Sequence, residues 1–158
     1  MIIVTGASGH LGRHVVTGLL DKLPAGQVVA AARSPEKAAD LGVAVRRADH
    51  DEPDTLLAAL EGAETVLLIS GSEVGERVRQ HRAVIDAARK AGVARLVYTS
   101  ILNAGRPLVL APEHQATEEA HRRVRADLHH LAQRLVPREL PAGHRAGHAD
   151  RRFRWQRG

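Results

Sequence analysis

Apolar residues fall along this chain in short β-branched runs separated by stretches of helical spacing. Ile2-Ile3-Val4 is the first run, and it meets Thr5-Gly6-Ala7-Ser8-Gly9-His10-Leu11-Gly12. Beyond that turn Leu11, Val15, Val16, Leu19, Leu20 and Leu23 recur at the spacing of one helix face, so the segment reads as strand, tight turn, helix. Pro24 and Gly26 stop the helix, and Gln27 to Ala32 forms a second extended run. Ser34 is placed to cap a short helix over Glu36 to Leu41, and Val43 to Arg47 predicts a third strand. Pro53 opens a helix through Leu56, Leu57 and Leu60 that Gly62 closes, and Thr65 to Ile69 is the most strand-like run of all. Val74 to Ala91 predicts a long amphipathic helix with Val78, Val84, Ile85 and Ala88 on one face, ended by Gly92, before Leu96-Val97-Tyr98-Thr99 gives a fifth strand.

Strands that are apolar almost throughout, alternating with helix-length segments, belong to a parallel sheet covered on both faces, whose crossovers are right-handed. The expected fold class is therefore α/β, a doubly wound parallel sheet of five strands. A length of 158 residues with 44% apolar content suits one folding unit with a substantial core. No apolar run approaches the roughly 20 residues that cross a bilayer, and Met1 to Thr5 lacks the character of a secretory signal. No membrane association and a cytoplasmic location are the expectations. With no cysteine, thiol chemistry and Cys-based metal sites are excluded, and no metal site is expected.

The net charge of +5 is unevenly placed. Residues 121–158 hold ten arginines against Asp127, Glu139 and Asp150, a balance of +7; residues 1–120 hold the other 13 basic and 15 acidic residues, a balance of −2. The first 120 residues thus have the mildly acidic character of an ordinary enzyme. A basic nucleic-acid-binding module ranks last among the readings, because the arginine-rich tail offers only Phe153 and Trp155 as aromatics and no folded recognition element, so no specific nucleic-acid partner is expected.

Gly6, Gly9 and Gly12 stand where the first strand turns into the first helix, and that context raises the spacing above coincidence. A pyrophosphate must approach the backbone closely there, while the helix N-terminus supplies free N–H groups and a positive dipole end. A purely structural turn is the alternative, and the following strand at the right separation favours dinucleotide binding. About 20 residues past the turn an NAD site carries an acid for the ribose hydroxyls, whereas this chain has Ala32-Arg33-Ser34. Arg33, with Lys37 one helical turn on, is suited to a 2′-phosphate, so NADPH is expected to be preferred over NADH. Asp49 is placed to accept from the adenine amino group, and Ser70-Gly71-Ser72 lies at the carboxyl edge where such sheets meet ligands; both also suit loop caps.

The turn at residues 5–12, Ala32-Arg33-Ser34-Pro35-Glu36-Lys37, Ala48-Asp49, Arg82-Ala83-Val84-Ile85-Asp86-Ala87-Ala88 and Val97-Tyr98-Thr99-Ser100 together resemble the NmrA-like branch of the atypical short-chain dehydrogenases, and within it the NAD(P)H-dependent quinone oxidoreductases. The resemblance covers residues 1–120 and implies a Rossmann domain that binds NADPH and delivers hydride to a small quinone-like acceptor, with a homodimer as a compatible assembly. It implies that Gly6, Gly9 and Gly12 hold the pyrophosphate, Arg33 the 2′-phosphate and Asp49 the adenine, that Ser70 and Ser100 border the nicotinamide, and that Ala7, Ser8, His10, Leu11 and Gly71 also belong to the cofactor site. A nonenzymatic redox sensor that binds NAD(P) is the alternative, since NmrA-like proteins include such regulators.

The tyrosine and lysine pair that donates a proton in ordinary short-chain dehydrogenases is missing, and Tyr98, the only tyrosine, lies inside the fifth strand. His114 and Glu118, at i and i+4 on one helix, are the candidate catalytic residues, forming a hydrogen-bonded relay near neutrality; a solvent-facing surface histidine is the alternative. Hydride transfer to a quinone needs mainly orientation against the nicotinamide, so solvent protonation of the product would serve.

From His121 onward the composition changes to arginine runs, histidine pairs and prolines, with no strand where the family has its sixth. Degenerate back-translation of Leu128 to Leu140, moved one base forward, permits Tyr-Thr-Ile-Leu-Arg-Asn-Gly-Trp-Tyr-Arg-Glu-Asn-Tyr, which resembles the family's sixth strand and following loop. Residues 121–158 are therefore expected to be an irregular, poorly ordered tail, out of frame after about residue 120, with the substrate lobe missing and the fifth strand left as an exposed apolar edge. The coding DNA is expected to carry the shifted codons through this stretch; codons that cannot encode that segment would remove the frameshift.

Overall fold

In the computed structural model residues 1–102 and 109–123 are described in full and residues 127–133 by their backbone. The five predicted strands are β1 (Ile2–Val4), β2 (Val28–Ala32), β3 (Ala44–Arg47), β4 (Thr65–Leu68) and β5 (Arg95–Ile101). The helices are α1 (His10–Leu20), α2 (Pro53–Leu60), α3 (Arg77–Lys90) and α4 (Ala111–Arg122). A further strand, β6 (Asp127–Gln133), completes a sheet of order β3-β2-β1-β4-β5-β6 in which every neighbouring pair is parallel. The order reverses between β1 and β4, the topological switch point of the Rossmann arrangement.

Alternate residues of the sheet feed two cores, as a buried parallel sheet requires. Ile3, Val29, Val66, Leu68, Leu96 and Tyr98 pack with Leu56 and Leu60 of α2 and with Val84 and Ile85 of α3. On the other face Val4, Val28, Ala30 and Ala32 pack with Val16 of α1 and with Ala38.

Apart from shifts of a residue or two at strand ends, three features differ from the sequence expectation. The segment after β2 is a 3-10 helix, Pro35–Leu41, and Ser34 makes no side-chain cap; Pro35 at its first turn supplies the required φ instead. Helix α3 begins at Arg77 rather than Val74, because Gly75 adopts φ 93°, a left-handed conformation that no helix continues through. The third correction is β6, which pairs with β5 from Arg95 opposite Asp127 to Ile101 opposite Gln133, where no strand was expected. A parallel ladder is built from main-chain N–H and C=O groups that every residue here carries, so β5's open edge accepts this segment without an alternating apolar pattern. The β5 edge is accordingly covered along its length. The expectation of an irregular tail for 134–158 lies outside the described residues.

Candidate functional site

The end of β1 is tied into the sheet before the chain turns. The Thr5 amide donates to the Leu67 carbonyl at 3.0 Å, its hydroxyl donates to the same oxygen at 3.2 Å and accepts from the Ile69 amide at 3.2 Å. Gly6 then takes φ 62°, which reverses the chain toward α1. The Gly9 amide closes back on the Gly6 carbonyl at 3.0 Å, and the Ala7 amide reaches the Ala31 carbonyl of β2 at 3.1 Å. A Cβ on Gly12 would lie 2.3 Å from the Gly6 carbonyl oxygen and 2.7 Å from Ala7 Cα, so α1 can sit against the turn only because residue 12 has no side chain. A Cβ on Gly9 would meet the same oxygen at 3.2 Å. No side chain caps α1 and its first turn contains no acid, which leaves its leading amides open to an anion.

This turn forms one wall of a cleft of about 510 Å³ at the carboxyl ends of β1, β2 and β4. Gly6, Ser8, Gly9, His10, Leu11 and Gly12 line it, together with Arg33 after β2, Asp49 after β3 and Ser70 and Gly71 after β4. The structure thus brings together most of the residues singled out in the sequence. Ala7 is buried beneath the turn, Lys37 is exposed on the 3-10 helix away from the cleft lining, and Ser100 is buried at the end of β5.

Arg33 faces Glu73 at 3.5 Å across the cleft mouth, with side chains 65% and 49% exposed. A pair so exposed contributes little, and it leaves the guanidinium ready to turn to a stronger anion. Asp49 Oδ1 accepts the Asp51 amide at 3.1 Å, which supports its loop-capping role directly. Asp51, Glu73, Gln80 and His50 line the same cleft and were not anticipated. Burial lowers the His50 pKa, so its imidazole is held neutral. The signal that marks Gln80 is its place on the apolar stripe of α3, where Arg77, Gln80 and His81 are buried along with Val84, Ile85 and Ala88.

The candidate relay of His114 and Glu118 is not assembled. His114 is 2% exposed rather than solvent-facing, and its Nδ1 meets the Tyr98 hydroxyl at 2.6 Å. Glu118 instead accepts from Ser100 Oγ at 2.6 Å and pairs with Arg122 at 3.4 Å. The reason is geometric: α4 lies along β5, so each of the two side chains finds a β5 partner closer than the other. Burial pulls the His114 pKa down and pushes the Tyr98 hydroxyl up, so both are neutral near pH 7. Neither His114 nor Glu118 lines the cleft.

Among the described residues no group of three or more metal-ligating side chains is present, and no helix is long and apolar enough to cross a membrane.

A profile of a family described as NAD(P)H-binding matches residues 6–140, running past residue 120 and through β6. The chain is similar to quinone oxidoreductase 2 of Escherichia coli (strain K12), with 50% identity over 123 residues, 75% of this chain and 43% of that protein. It is similar to an NmrA-like family domain-containing oxidoreductase of Aspergillus flavus, 38% identical over 106 residues, covering 63% of this chain and 34% of that one. Among solved structures, an NADPH-dependent quinone oxidoreductase from Escherichia coli complexed with NADPH superposes with a TM-score of 0.81 at 46% identity, over 84% of this chain and 48% of that chain. The chain spans less than half the length of each of these relatives.

Proposed function

The chain belongs to the NAD(P)H-binding family, in its NmrA-like branch, and from that premise we propose that it binds NADPH in preference to NADH and serves hydride transfer to a quinone-like acceptor. The observation that supports this reading is the cleft over the β1–β4 switch point, whose glycine turn can pack against α1 only without a side chain at residue 12 and which holds Arg33 as its cationic side chain. The residues fit a dinucleotide. The uncapped start of α1 receives the pyrophosphate, Arg33 the 2′-phosphate, Asp49 the adenine side, and Ser70 and Gly71 the opposite half.

Hydride transfer is the chemistry the dinucleotide supplies when bound. The chain's own contribution is orientation: the turn fixes the pyrophosphate, and Arg33 fixes the adenosine end with charge-assisted hydrogen bonds. Arg33 reaches a phosphate by exchanging its long contact to Glu73 for a shorter one to a dianion. His114 and Glu118 do their work on β5, holding Tyr98 and Ser100, and the proton for the reduced acceptor comes from solvent.

Calorimetric titration with NADPH and NADH tests the assignment. NADPH is expected to bind about tenfold more tightly or better, and Arg33→Ala to bring the two within about twofold of each other, the loss of one charge-assisted contact. Equal affinity in the parent chain, or an undiminished preference in Arg33→Ala, would refute the role given to Arg33. Steady-state NADPH oxidation with simple quinones then separates the two functions: tight binding without turnover is the result expected of a redox sensor.

A further inference from the structure

Gly71 lies in the cleft wall after β4, and both of its backbone hydrogen-bonding groups are held by side chains from one helix. Its amide donates to His81 Nε2 at 2.9 Å, and its carbonyl accepts from Arg77 Nε at 2.7 Å. Arg77 and His81 are one turn apart on α3 and are 4% and 0% exposed. Helix α4 supports each of them with a residue of its own, again one turn apart. Glu113 pairs with Arg77 at 2.6 Å and also accepts the Gly75 amide at 2.5 Å, while Thr117 Oγ1 lies 3.1 Å from His81 Nδ1.

The hydrogen positions follow from the donors. Because the Gly71 amide has only a hydrogen to offer, His81 Nε2 must present a lone pair, which places the imidazole hydrogen on Nδ1. Nδ1–H then donates to Thr117 Oγ1, and the Thr117 hydroxyl passes its own hydrogen to the Glu113 carbonyl at 2.9 Å. Every donor in this series has an acceptor, and with Arg77 on the carbonyl the two peptide planes that meet at Gly71 are each held in one orientation.

Four buried or half-buried polar side chains are far more than a surface loop needs for stability, and desolvating an arginine and a glutamate is costly unless the arrangement is held for its geometry. We infer that Arg77 and His81 are positioning residues that fix the Gly71 peptide as the surface against which the nicotinamide half of the bound dinucleotide is laid, with Glu113 and Thr117 holding them from α4. The inference rests on the dinucleotide reading of the cleft. In that reading the adenosine half occupies the Arg33 and Asp49 side, and the other half crosses the switch point toward β4, where Gly71 stands.

The test compares NADPH with adenosine 2′,5′-bisphosphate, which carries the adenosine half alone, on the whole chain and on His81→Phe and Glu113→Gln. Calorimetry gives the affinities, and amide hydrogen exchange by NMR reads the Gly71 N–H. His81→Phe is expected to weaken NADPH about tenfold while leaving the bisphosphate within about twofold, and to speed Gly71 exchange about tenfold. Glu113→Gln keeps the shape and the acceptor for Gly75 but removes the charge facing Arg77. It is expected to weaken NADPH about threefold with the same selectivity, and it decides the matter if His81→Phe does not fold. A parallel loss of both ligands would reduce the residues to structural supports, and unchanged NADPH affinity with slow Gly71 exchange would overturn the inference directly. If the unsubstituted chain binds neither ligand, the dinucleotide reading itself falls and takes this inference with it.

Discussion

Gly12→Ala is expected to destabilise the chain by about 3 kcal/mol or more and to abolish dinucleotide binding. The added Cβ would stand 2.3 Å from the Gly6 carbonyl oxygen, 2.7 Å from Ala7 Cα and 2.9 Å from the Gly6 carbonyl carbon. All three are backbone atoms of the glycine turn, so no rotamer change relieves the contact. Either α1 moves off the sheet, exposing Val16, or Gly6 gives up the orientation its left-handed φ provides. Gly18 on the same helix is the internal control, because a Cβ there meets nothing within 4 Å. Gly18→Ala is expected to gain about 0.5–1 kcal/mol from helix propensity alone. Thermal melting and an NADPH titration of the two variants check both signs; a Gly12→Ala chain that melts and binds like the parent would mean the turn is not held as described.

Acidification is expected to unfold the chain at lower denaturant concentration, chiefly through His81. Burial holds its pKa down at about 3, against an ordinary 6.5, and the positive or neutral imidazoles and guanidinium around it, His50, Arg77 and His114, offer the charged form no support. Between those two pKa values the unfolded chain binds a proton that the folded chain does not, so stability rises with pH across that window and falls as acid is added. The slope for one such group is about 1.4 kcal/mol per pH unit, which amounts to roughly 2 kcal/mol lost by pH 5. His114, also held low by burial, acts in the same direction. Protonation of His81 would in addition set an N–H at Nε2 against the Gly71 amide, two donors facing each other. Urea midpoints at about pH 7.5 and about pH 5 measure the loss, and His81→Gln, which does not titrate, is expected to flatten it. A His81→Gln chain as acid-sensitive as the parent would assign the effect elsewhere.

Much of the fold was legible in the sequence. The five apolar runs became β1 to β5, and the glycine spacing between Ile2-Ile3-Val4 and the Leu11 to Leu20 stripe became the turn at the head of α1, because turn chemistry and apolar periodicity are local properties. Arg33 and Asp49 were also within reach, since the parallel order puts every strand's carboxyl end on one edge and so carries both to the cleft.

Tertiary structure decided the rest. The start of α3 depended on the conformation of Gly75, and β6 on the backbone groups that β5 left open, neither of which an apolar pattern records. His114 and Glu118 lie correctly spaced on one helix face, yet their partners became Tyr98 and Ser100, because a side chain bonds to what packs against it and not to what sequence spacing sets beside it. Arg77 and His81 were hidden for a related reason. Charged and polar residues on a helix read as a solvated face until α4 and the Gly71 peptide supply the acceptors and donors that let them be buried, and those partners come from 36 residues away for Arg77–Glu113 and for His81–Thr117. The sequence by itself therefore determined the first five strands and the glycine turn, through local periodicity and glycine geometry. Which polar side chains are buried, and what they hold in place, was settled only when distant elements met and satisfied one another's hydrogen bonds.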